Sequence, residues 1–72
     1  MGAQRYIYLV VKGEVGEGYY VVGASATLRG ARLVARRLIA HSLRPWAHLK
    51  AIGWRWVCDC DYLEIVRERV LP

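Results

Sequence analysis

Along this chain the spacing of apolar residues switches between a period of two and a period near 3.6, and the switches mark out five elements. From Arg5 to Val11, the run Tyr6-Ile7-Tyr8-Leu9-Val10-Val11 is β-branched and aromatic and is apolar on both faces, which predicts a strand inside a sheet. Lys12 to Gly18 contains three glycines and predicts a loose, mobile turn. Tyr19 to Val22 then reads as the second strand of an antiparallel hairpin. Ser25 or Thr27 can cap the helix that follows. From Leu28 to about Leu43, Leu28, Ala31, Val34, Ala35, Leu38, Ile39 and Ser42 share one helical arc, while Arg29, Arg32, Arg36, Arg37 and Arg44 fall along the opposite arc. Pro45 ends this helix.

Trp46 to Gly53 is irregular, with room for a turn of helix around Ala47 to Lys50. Trp54 to Cys58 alternates like a strand, Asp59 to Asp61 supplies a tight connection, and Tyr62 to Val70 forms the last strand. The expected architecture is α+β: one small domain over residues 1–72 in the order ββαββ, with one amphipathic helix packed on an antiparallel or mixed sheet.

Composition adds a tension to this picture. Hydrophobic residues make up 56% of a chain of only 72 residues. A chain this short buries only about 60% of the surface that its unfolded form exposes. Apolar surface is therefore expected to stay open in a single copy, and a protein partner or a homodimer is the expected use for it. No stretch approaches the roughly 18 apolar residues needed to cross a bilayer. The N-terminal residues lack a signal peptide's apolar core, and Cys58 and Cys60 are too few and too close for a secreted disulfide framework. The expectation is a cytoplasmic protein that engages no membrane.

Charge is unevenly spread. The net charge is +5, yet no acidic residue occurs between Gly18 and Cys58, where Arg29, Arg32, Arg36, Arg37, Arg44, Lys50 and Arg55 lie. Arginines repeated on one helix face with no acidic neighbour at i,i+4 repel one another, a pattern that fits an anionic partner. The alternative is a solvated helix face in an arginine-rich chain. The candidate docking residues are Arg29, Arg32, Arg36, Arg37, Arg44, Trp46 and Arg55, for protein or for nucleic acid. On nucleic acid the arginines would hold phosphates and would not read sequence.

Trp46, Trp54 and Trp56 are each a candidate hot spot or a core residue, and at least two of the three are expected in the core. Trp54, Trp56 and Cys58 point to one side if their segment is a strand. Cys58 and Cys60, even with His41 and His48, have poor spacing for zinc, since one residue between two thiols on a strand does not bring both sulfurs to one point. No nucleophile–base arrangement is legible, so the expectation is a non-enzyme with no cofactor, metal or small-molecule substrate.

Two resemblances bear on function. Tyr6-Ile7-Tyr8, then Tyr20-Val21-Val22-Gly23 and an arginine-bearing helix, superficially resemble the GIY-YIG nuclease family. That likeness implies Tyr8, Arg29 or Arg32, and Glu64 or Glu68 as the groups of a metal-dependent phosphodiesterase. Tyr6 stands where the family has its first glycine, the second motif is one residue too long, and the chain contains no asparagine.

More of the chain is similar to short uncharacterised proteins of bacteriophages and actinobacteria. The likeness runs through Tyr20-Val21-Val22-Gly23, the helix begun near Ser25, Trp54, and the closing Asp61-Tyr62-Leu63-Glu64-Ile65. It implies a phage-type accessory protein or inhibitor that binds a host component.

Overall fold

The computed structural model describes residues 5–70. Its strands are β1 (Arg5–Glu14), β2 (Gly18–Ser25), β3 (Ala47–His48), β4 (Arg55–Cys58) and β5 (Asp61–Val70), with helix α1 (Leu28–Ala40) between β2 and β3 and a 3₁₀ turn at Lys50–Ile52. They form a single antiparallel sheet in the order β2-β1-β5-β4-β3. The α+β expectation of one helix on one sheet holds, and the sheet is antiparallel, not mixed. The ββαββ order needs correction, because β3 precedes β4 as a short fifth strand. Ala47 and His48, expected in a helical turn, are extended because they pair with Val57 and Trp56. Propensity over two residues yields to ladder hydrogen bonds.

The first strand is also longer than its composition indicates. The glycine-rich pattern assigns Lys12, Gly13 and Glu14 to a turn, but they pair with Tyr20, Tyr19 and Gly18 on one side and with Leu63, Tyr62 and Asp61 on the other. The loop shrinks to Val15-Gly16-Glu17 and is tied down by Val15 N–H donating to the Cys60 carbonyl at 2.8 Å. Gly16 and Gly18 carry the positive φ angles that close it. A bulge at Val10/Val11 shifts the register of β2.

Thr27 caps α1, its side-chain oxygen accepting from Gly30 N–H at 3.0 Å. The helix ends at Ala40, before the expected Leu43, with His41 as the closing residue. The Arg37 carbonyl accepts the His41 backbone N–H at 3.0 Å, and His41 Nδ1 lies 2.8 Å from the same oxygen. Arg44 therefore lies beyond the helix and not on its face.

Directly opposed residues of an antiparallel pair share a face. The register thus places Tyr8, Val10, Leu63, Ile65, Trp56 and His48 on one side of the sheet. This is the side α1 covers: Val10, Ala31, Ala35, Trp56 and Leu63 form the buried core, with Val22, Val34, Ile39, Trp46 and Trp54 packed around it. The approach is close at Gly23, where a Cβ would lie 2.6 Å from a Val34 methyl.

Candidate functional site

The other side of the sheet carries Arg5, Ile7, Leu9, Val11 and Gly13 of β1. Against them lie Tyr62, Glu64, Val66, Glu68 and Val70 of β5, Tyr19, Val21 and Ala24 of β2, Arg55 and Val57 of β4, and Ala47 of β3. No described element packs across this side. Its middle is apolar, with Leu9 directly opposite Val66. Val21 is 52% exposed on one flank, while Val11, at 2%, lies under its neighbours. Toward β4, Arg55 spans the surface, with its guanidinium 4.3 Å from the Tyr62 ring centroid and Nη1 donating to Glu64 Oε1 at 3.2 Å.

The predicted docking residues fall into three groups. Arg29, Arg36 and Arg37 project from the outer face of α1, their guanidinium groups in no ion pair or hydrogen bond among the described residues, around a Leu33 that is 49% exposed. Arg32 turns inward. Its guanidinium lies 4.1 Å from the Trp54 ring centroid, and its Nε is enclosed without a hydrogen-bond partner. Below it the stack continues from Trp54 to His48 at 5.6 Å and from His48 to Trp56 at 4.9 Å. Arg32 thus caps an aromatic column and extends the core.

Arg44 and Arg55 are held by the chain's own carboxylates. Arg44 donates to Asp61, lies 3.5 Å from an Asp59 oxygen, and donates to the Cys58 carbonyl at 3.3 Å. The hydrogen bond to Asp61 holds the Arg44 pKa above its ordinary value. Arg44 therefore pins the β4–β5 turn to the loop after the helix. Trp46 is half-buried, and its Nε1 donates to Ser42 Oγ at 3.0 Å. It borders a shallow groove with Leu38, Tyr20 and Lys12. All three tryptophans pack against the core, as expected for at least two of them. The expected free arginine stripe is thus reduced to Arg29, Arg36 and Arg37.

The nuclease-like groups do not converge. Tyr8 lies on the helix side of the sheet, Arg32 is on Trp54, and Glu64 and Glu68 are on the opposite side. Cys58 is buried and Cys60 exposed, both as free thiols, and no cluster of three or more metal-ligating side chains occurs among the described residues. No described helix is long and apolar enough to cross a membrane.

Residue-by-residue reading missed the open sheet face as a site, although its signal was present. The apolar run Tyr6 to Val11 has no polar alternate, so both sides of β1 carry apolar groups, and a single helix covers only one. Over the described residues the fold is α+β, one helix on a five-stranded antiparallel sheet whose other face has no element packed on it. Comparison with protein-family models, with curated proteins and with solved structures gives no match to this chain.

Proposed function

We propose that this chain is a non-enzymatic binding protein that works through protein–protein contacts made by the open face of its sheet. The observation that carries the reading is the apolar centre of that face, an exposed Val21 with half-buried Ile7, Leu9, Val57 and Val66, over which no element packs among the described residues. Contiguous apolar surface rimmed by polar groups is where proteins meet other proteins. Arg55, Glu64 and Tyr62 supply such a polar, aromatic rim.

The test is affinity capture with the tagged full chain from a nuclease-treated extract, run beside Leu9→Lys. A protein retained by the wild type and released with Leu9→Lys supports the reading. Recovery of nucleic acid alone, or the same protein retained by both, refutes it.

A second reading, nucleic-acid binding by the helix, has its own observation: Arg29, Arg36 and Arg37 are exposed with no carboxylate beside them. Phosphate contacts strengthen as salt is lowered, so an electrophoretic shift that is absent at low salt ends that reading.

A further inference from the structure

We infer that the occupant of the open sheet face is a second copy of this chain, the two sheets packing face to face with their α1 helices on the outside. The inference rests on the protein-contact reading above and names its partner.

Charge argues for this first. The open face holds four charged residues, Arg5, Arg55, Glu64 and Glu68, which sum to zero, and Arg55 and Glu64 are already paired. The chain as a whole carries +5, so the excess positive charge lies elsewhere, with Arg29, Arg36 and Arg37 among it on the outer helix surface. A strongly acidic partner would be drawn to the helix side. A face without net charge lets a second copy dock with no like-charge repulsion across it, while the two basic helices stay apart on opposite sides of the sandwich.

Area argues the same way. β1 and β5 are each 10 residues long, roughly 33 Å at about 3.3 Å per residue, and four strands spaced by about 4.8 Å span roughly 19 Å. Allowing for the shorter flanking strands, about 500 Å² of each copy is available in projection, roughly 1,000 Å² for the pair, which is the lower limit of a specific interface and suits a dimer that forms as concentration rises.

Register makes the arrangement self-complementary. An isologous contact needs a twofold axis lying between the two faces. Set along the β1–β5 seam, that axis puts each copy's β1 over the other's β5. Leu9 then faces Val66 across the interface, since the two share one level of the ladder. Arg5 is brought near Glu68, because Arg5 pairs with Val70 and Ile7 with Glu68. Aligned sheets pack about 10 Å apart, which leaves room for these side chains to interdigitate.

Sedimentation velocity of the full chain from about 1 to about 200 µM tests the inference, since self-association shifts with concentration by mass action. The expected result is a mass that rises to twice 8.2 kDa. Val66→Lys sets two ammonium groups beside the axis and is expected to weaken the dimer roughly 100-fold or more. Val66→Thr, which keeps the shape, and Arg36→Glu on the outer helix face should both still dimerise, and unchanged circular dichroism shows that each variant folds. A wild-type chain that stays monomeric at the highest concentration overturns the second-copy inference. The wider protein-contact reading would then be decided by the Leu9→Lys capture. A dimer that survives Val66→Lys in a folded chain overturns the choice of face.

Discussion

The two sides of the central sheet are made from the same strands and have opposite fates. On one side Val10, Leu63 and Trp56 meet Ala31 and Ala35, and the alanines let the helix backbone lie close to the strands. On the other, residues one position along, such as Leu9, Val57 and Val66, have comparable apolar character and no element above them. The difference is one of supply. Thirteen residues of helix pack over β2, β1 and β5 on one side, and no second helix is present among the described residues to cover the other. The covered side stabilises the single copy, and the open side is the surface proposed above for association.

Neighbouring residues with opposite orientation break or sharpen this contrast. Trp56→Ala removes a core side chain and should cost about 3–5 kcal/mol, a large part of the stability of a domain this small. Val57→Ala, one residue on and facing the open side, should cost about 1 kcal/mol or less at a concentration that keeps single copies. Urea denaturation followed by tryptophan fluorescence for Val57→Ala, and by circular dichroism for both, reads the pair. Similar losses for the two variants would mean that the faces are not unequal.

Gly23→Ala sets a methyl group against Val34, whose branched side chain is stiff, and should destabilise by about 1–3 kcal/mol. A thermal melt that does not move would show that the helix can lift from the sheet without loss. Thr27→Ala takes away the helix cap and should cost about 1 kcal/mol in the same melt. The smallest effect is expected from replacing Arg29, Arg36 and Arg37 together with glutamine: a stability change within about 0.5 kcal/mol, because folding does not depend on any of their side chains. If the chain also binds nucleic acid, that triple variant should flatten the salt dependence of binding by nearly 3 in the log–log slope, at about 0.9 for each phosphate left without its arginine.

The helix was the most legible element, since its 3.6-residue period, its Thr27 cap and its apolar arc are all local. Its free charge was only partly legible. Arg32 sits at the edge of the arc, and it turned inward because Trp54, far away in sequence, offers a ring to stack on. Arg44 and Arg55 looked unpaired because their acidic partners lie beyond the acid-free stretch, and only the β4–β5 pairing and its turn bring Asp59, Asp61 and Glu64 to them. The two-residue strand Ala47–His48 left no periodic signal at all and exists because β4 has an edge for it to pair with.

What the sequence determined by itself is what short-range physics can encode: strand and helix periods, the cap, the glycine-rich turn, and an excess of apolar residues over what one small core can hold. What only the tertiary structure decided is which apolar residues form that excess and which arginines remain unpaired. Both depend on strand order and register, set by ladder pairing between residues far apart in the chain, and on which side of the sheet a single helix comes to rest.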